Sequence, residues 1–269
     1  IQSQNPYTEK IEKTFDACTP AEAIKACVRA DKAFALWKDV PVKKRAQLVK
    51  NIAKNLRANT EEYARVITRE MGKPITQSIS EIEKCAWNCE YIAEHGPEFL
   101  NDELVETEMQ KSAIRFAPLG VILAVMPWNF PFWQVFRFAS LALLAGNTAI
   151  LKHASNVPQS AKLIEKIIRK SGFPKDAFQT LFIQSRDIET VIAHDAVRMV
   201  ILTGSEKAGS EVGALSGKHI KKSVLELGGA DAFIVMSDAD LDEAVKIGVQ
   251  SRMGNNGQAC NAAKPFLVH

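Results

Sequence analysis

At 269 residues the chain suits one large domain or two modest ones, and 46% apolar with 24% charged residues excludes extended disorder. A net charge of +3, from 34 basic and 31 acidic residues scattered along the chain, argues against nucleic-acid binding through a basic patch. Five cysteines in a chain with ordinary core content argue against a disulfide scaffold and for a reducing, cytoplasmic setting.

The chain begins at Ile1 rather than Met, so a fragment or a processed form is expected. Its first residues are polar, with no charged segment leading into an apolar one as in a secretory signal. Phe116 to Phe136 carries no charge and has the length of a bilayer span, but Pro118, Pro127 and Pro131 would each break a helix in lipid. A buried strand, a turn and a buried helix are expected there instead, with no membrane partner.

In chain order, the first hundred residues are expected to be helical. Thr19-Pro20-Ala21-Glu22 has the form of a capping box with proline at the first helical position. From there Ile24, Cys27, Val28, Phe34 and Trp37 broadly follow helical spacing. Leu48, Val49, Ile52 and Leu56 predict a second helix. A third runs from about Thr60 to Met71 and stops at Gly72, and a fourth from about Pro74 to His95. Segment 101–117 alternates polar and apolar residues and reads as a solvated hairpin. Beyond it, apolar runs at 120–126, 147–151, 177–183, 197–202 and 232–235 alternate with helical patterns at 131–145, 158–171, 188–193, 206–215 and 241–253. That alternation predicts an α/β fold with a parallel sheet covered on both faces.

Four stretches could carry chemistry. Cys260 lies in the polar loop Asn255-Asn256-Gly257-Gln258-Ala259-Cys260, where a nucleophile or an idle loop cysteine could stand. Glu226 is flanked by Leu225 and Leu227 and followed by Gly228-Gly229. It is either a carboxylate desolvated into the range of a general base or a strand-end acid in solvent. Thr203-Gly204-Ser205-Glu206 joins a strand to a helix, which serves either a phosphate or a plain serine cap. Asn129, between Trp128 and Phe130 and two prolines, is either an amide aimed at an oxyanion or an Asx-turn. Cys85 and Cys89 share a helix without partners at zinc-site spacing, so no metal centre is expected.

Pro127-Trp128-Asn129-Phe130-Pro131, Gly146-Asn147-Thr148 leading to Lys152, Thr203-Gly204-Ser205, Glu226-Leu227-Gly228-Gly229 and Gly257-Gln258-Ala259-Cys260, in this order and spacing, resemble the aldehyde dehydrogenase superfamily. Residues 132–137, 151–154 and 225–235 resemble its succinate-semialdehyde dehydrogenase group. The resemblance implies a Rossmann-like dinucleotide-binding domain with a parallel sheet over 1–100 and 118–226, with N-terminal helices. Residues 101–117 would be a hairpin of the oligomerisation arm, and 227–269 the start of a second α/β catalytic domain. It implies that Cys260 attacks the aldehyde, that Asn129 and the Cys260 N–H hold the oxyanion, and that Glu226 activates water to hydrolyse the thioester rather than releasing it to a thiol. Trp128, Lys152, Ser155, Gly204, Ser205 and Gly209 would bind NAD or NADP, and Arg137 the distal carboxylate of succinate semialdehyde. Ser155, where NAD-preferring relatives commonly carry Glu, leads to the expectation that NADP is accepted. A small-molecule aldehyde and further copies of the chain are the implied partners.

Two features depart from the family pattern. Pro265 stands where a basic residue is usual, and the chain ends at His269, short of most of the implied catalytic domain. By itself the chain is therefore expected to bind dinucleotide weakly and not to turn over aldehyde, with residues after about Ser237 mobile. The alternative is a catalytically incomplete nucleotide-binding or partner-binding fragment.

Overall fold

The computed structural model describes residues 1–269. The chain opens not on a helix but on an antiparallel pair, β1 (Gln2–Gln4) and β2 (Ile11–Thr14). This corrects the expectation that the first hundred residues are helical throughout. The turn between the strands is local chemistry: the Asn5 side-chain oxygen accepts the Tyr7 N–H at 3.0 Å, an Asx-turn beside Pro6.

Four helices follow: α1 (Pro20–Trp37), α2 (Val42–Ala58), α3 (Thr60–Met71) and α4 (Ile75–His95). The capping box at Thr19 and Glu22 forms, and Gly72 ends α3. The face of α1 differs from expectation. Ile24 and Val28 are exposed, whereas Ala23, Ala26, Cys27 and Ala30 are buried. The small side chains let α1 lie close on the sheet, where Thr148 Oγ1 donates to the Ala30 carbonyl at 3.1 Å. On α2 the stripe Val49, Ile52 and Leu56 is buried as expected. Arg45, on the same helix, donates from Nε to the Leu144 carbonyl at 2.6 Å.

After the exposed hairpin β3 (Glu103–Val105) and β4 (Ser112–Ile114) comes the α/β core. It runs β5 (Val121–Met126), α5 (Trp133–Leu144), β6 (Thr148–His153), α6 (Pro158–Lys170), β7 (Phe178–Thr180), α7 (Glu189–Ile192), β8 (Val197–Thr203), α8 (Glu206–Lys218) and β9 (Lys222–Glu226). The five strands are parallel in the order β7-β6-β5-β8-β9. β5 and β6 are covered on both faces, which is why they read as unbroken apolar runs. One core packs α5 and α6, backed by α2, α3 and α4, against the sheet, and the second packs α1, α7 and α8 against the other face. β9 was not among the expected strands. It is an exposed edge strand with polar Lys222 and Ser223, so it lacks the apolar run that marks its neighbours.

A separate parallel pair, β10 (Asp231–Val235) and β11 (Ala263–Val268), carries α9 (Leu241–Met253) on one side. The Phe233 and Phe266 rings meet at a tilt, 5.3 Å between centroids, beneath this helix. Many apolar side chains of this unit, including Ile234, Val245, Leu267 and Val268, are exposed. Pro265 lies within β11, which pairs only with β10, so its missing N–H can be tolerated at the edge. No helix of the structure is long and apolar enough to cross a membrane.

Candidate active site

The sheet order reverses at β5: β6 and β7 extend to one side, β8 and β9 to the other. Ligands of doubly wound sheets lie in the crevice beyond the carboxyl ends of the strands at such a switch point. Here the register brings Val125 opposite Leu202 and Thr203 opposite Glu226. The turns that leave β5, β8 and β9 therefore meet along one edge, where a cleft of about 350 Å³ is lined by Trp128, Asn129, Gly204, Ser205, Gly229 and Cys260.

Three helices begin along this edge, and their N-termini differ. Glu81 Oε1 accepts the Phe132 and Trp133 N–H groups at 2.9 Å each, filling the start of α5. Glu70 accepts the Gln159 and Ser160 N–H groups at 2.7 Å each, filling the start of α6. The start of α8 has only its own cap, Ser205 Oγ accepting the Ala208 N–H at 3.3 Å. It is thus the N-terminus of the three left open to an anion. The buried Thr203 hydroxyl at this cleft has no hydrogen-bond partner. A Cβ on Gly229 would come within 3.3 Å of the Cys260 carbonyl. These features fit a dinucleotide's pyrophosphate along Gly204 and Ser205. Gly209, by contrast, is not among the residues lining the cleft. A Cβ there would stand 2.4 Å from Leu227 Cδ2, so the glycine lets α8 approach the β9 turn.

Lys152 and Ser155 line a smaller cavity of about 230 Å³ beyond the ends of β6 and β7. Burial alone lowers the Lys152 pKa. An anionic or hydrogen-bonding ligand there would compensate a charge that the protein leaves without a carboxylate partner. His153, next to it, is buried, and burial lowers its pKa to about 4.

A larger cavity of about 820 Å³ lies on the α4 side of the Cys260 loop. Arg137, Lys84, Trp133 and Gln77 line it, and Cys260 borders both this cavity and the switch-point cleft. The left-handed backbone of Asn255, Asn256 and Gly257 (φ 55°, 55° and 73°) sharply reverses the chain after α9 and presents the exposed Cys260. Asn129 Nδ2 donates to the Gln258 carbonyl at 2.7 Å, which ties the two loops together. A primary amide carries two N–H donors, so one remains. The Cys260 N–H donates to no protein group. Lys264 Nζ donates to the Cys260 carbonyl at 2.7 Å.

Glu226 sits at the end of β9, with its side chain 54% exposed and Oε2 4.0 Å from Arg137 Nη2. The leucines flanking it are themselves exposed, so of the two alternatives the structure has the strand-end acid in solvent. Cys85 and Cys89 are fully buried in the helical layer, and burial raises both thiol pKa values. Gln134 and Lys264 also line the switch-point cleft, although no motif in the sequence points to either. Gln134 is buried, borders both cavities and leaves Oε1 unpartnered; its one signal is a polar residue in the otherwise apolar first turn of α5.

The chain belongs to the aldehyde dehydrogenase family, whose model matches residues 1–269. It is 48% identical over 268 residues to a protein of Synechocystis sp. named "Probable succinate-semialdehyde dehydrogenase", NADP(+), covering 100% of this chain and 59% of that protein. It is 47% identical over 273 residues to the succinate-semialdehyde dehydrogenase, NADP(+), of Mycobacterium avium, covering 100% of this chain and 58% of that one. The crystal structure of succinic semialdehyde dehydrogenase from Streptococcus pyogenes in complex with NADP+ superposes with a TM-score of 0.96 at 36% identity, over 99% of this chain and 59% of that one. The chain therefore spans somewhat under two thirds of the length of these relatives.

Proposed function

We propose that this polypeptide provides the cofactor site and the nucleophile of an enzyme that oxidises an aldehyde to the carboxylic acid with NADP+ or NAD+, and that the aldehyde is succinate semialdehyde. The observation that carries the reading is the position of Cys260, at the junction of a switch-point cleft suited to a dinucleotide and a second cavity lined by Arg137. The names of the relatives support the same substrate and cofactor.

In this reading the Cys260 thiolate adds to the aldehyde carbon, and the carbonyl oxygen takes the negative charge. The free N–H of Asn129 and the Cys260 N–H receive that oxyanion; one such donor is worth roughly 3–4 kcal/mol in the transition state. When bound, the nicotinamide supplies the hydride acceptor. The Cys260 thioester that remains is cleaved by water, whose proton Glu226 takes as it attacks. Gly204, Ser205 and the α8 N-terminus hold the pyrophosphate, Trp128 borders it, and Lys152 and Ser155 hold the adenosine ribose. Arg137 pairs with the distal carboxylate, for which a guanidinium fork is well shaped.

Residues 1–100 and 118–226 act as the cofactor-binding domain, and 227–269 belong to the catalytic domain. The exposed β3–β4 hairpin, with unpaired strand edges, is the surface through which copies of the protein associate. Five unpaired cysteines suit a cytoplasmic setting. The test is reduction of NADP+ by succinate semialdehyde with the protein expressed from its whole reading frame. No reduction, or undiminished reduction by Cys260→Ala, would overturn the reading.

A further inference from the structure

The first two turns of α4 and the residues just before it touch both loops of the candidate site, although nothing in the sequence marks them as part of a site. Gln77 Oε1 accepts the Asn255 N–H at 2.8 Å. The Gly72 carbonyl accepts from Asn256 Nδ2 at 3.1 Å. On the other side, Glu81 accepts the two N–H groups that open α5, just after Asn129. Lys73 pairs with Glu81, and its Nζ lies 4.1 Å from the centre of the Phe130 ring. Asn255 Nδ2 then closes the circuit, donating to the Asn129 carbonyl at 2.8 Å.

The turn before Cys260 needs such support. Asn255 and Asn256 adopt left-handed backbone, which asparagine tolerates better than other residues with a Cβ but which still carries some strain. Strain of that kind persists where surrounding contacts over-determine it. Asn255 is buried, 4% exposed, and its N–H points away from its own loop into the Gln77 side chain. Without that acceptor a buried donor is left unpaired, which destabilises the turn.

We propose that Gln77 is a positioning residue for the nucleophile: by accepting the Asn255 N–H it holds the left-handed turn that presents Cys260 beside Asn129. The Lys73–Glu81 pair holds the Asn129 loop from the same segment. The distance between thiol and amide is therefore set by a third element that supplies no reacting group. The inference rests on the proposed reaction at Cys260.

The experiment compares Gln77→Met, which keeps the volume and loses the acceptor, with Gln77→Glu, which keeps an acceptor. Both are made in the protein expressed from its whole reading frame, and Gln77→Ala serves as a second deletion of the acceptor should the Met variant fail to fold. Misplacement of reacting groups by about an ångström costs up to ~100-fold in rate. Gln77→Met is expected to lower kcat by about tenfold or more, with KM for the cofactor changed by less than about twofold. Hydrogen exchange of a peptide spanning residues 253–260 should quicken by about tenfold, because the Asn255 N–H has lost its acceptor. Gln77→Glu should restore both. Unchanged exchange, or equal losses in the Met and Glu variants, would overturn the role. Cys260→Ala separates the two readings. If it is inert while Gln77→Met behaves as wild type, only the role of Gln77 fails. If it remains active, the proposed reaction fails, and the exchange measurement still decides whether Gln77 holds the turn.

Discussion

The Arg137 guanidinium stands 4.0 Å from the Glu226 carboxylate, on the rim of the cavity that Cys260 borders. The two charges come from different layers, α5 and the edge strand β9, and both side chains are partly exposed, so solvent screens their attraction. Such a pair can open at little cost. In the proposed function Arg137 would exchange Glu226 for a substrate carboxylate, leaving Glu226 to work on water.

Arg137→Leu should raise KM for succinate semialdehyde by roughly 10–100-fold, the worth of a charge-assisted hydrogen bond. For an uncharged aldehyde of equal length KM should change little. Steady-state kinetics with the two substrates decide the matter, and equal effects on both would remove Arg137 from substrate recognition.

Cys260→Ala should abolish cofactor reduction while leaving cofactor binding, measured by fluorescence titration, intact. Glu226→Gln should slow thioester hydrolysis more than thioester formation, because only the second step needs a base. A burst of reduced cofactor followed by a slow steady state is the expected stopped-flow trace. Normal turnover in either variant would contradict the assigned roles.

Ser155→Glu should shift preference from NADP toward NAD by about tenfold or more, because a carboxylate beside the ribose would repel a 2′-phosphate. The ratio of kcat/KM for the two cofactors measures this, and an unchanged ratio would place the ribose elsewhere.

His153 makes stability fall in mild acid. Its Nε2 donates to the Pro131 carbonyl and its Nδ1 accepts the Ala154 N–H, both at 2.9 Å, a pattern that only the neutral ring satisfies. Burial holds its native pKa at about 4, against 6.5 for the ordinary side chain. Between those values the unfolded chain binds a proton that the native chain does not. Stability is thus fully present above about pH 6.5 and is lost as pH falls toward 4, by on the order of 3 kcal/mol. Urea unfolding at about pH 7 and about pH 4.5 should show this loss, and His153→Gln should show a smaller one despite lower stability at neutral pH. Parallel losses in the two proteins would assign the acid sensitivity to other groups.

Much of this protein was legible in the residues themselves, because the signals are local. The unbroken apolar runs at β5 and β6 mark strands covered on both faces, the Thr19–Glu22 box marks a helix start, and Gly72 marks a helix end. The order of the motifs around Asn129, Glu226 and Cys260 likewise depends only on the chain, and it pointed to the family to which the chain belongs. Other features depend on which surfaces meet. The edge strand β9 has no apolar run because its side chains are exposed along its whole length, and the alanine face of α1 wins over Ile24 and Val28 because close approach to the sheet favours small side chains. Whether Glu226 is desolvated, which helix N-terminus stays open, and that Gln77 reaches Asn255 across the fold were decided by tertiary packing alone. Hydrogen bonds and burial between distant segments are set by the geometry of the whole, and neither periodicity nor spacing along the chain encodes them.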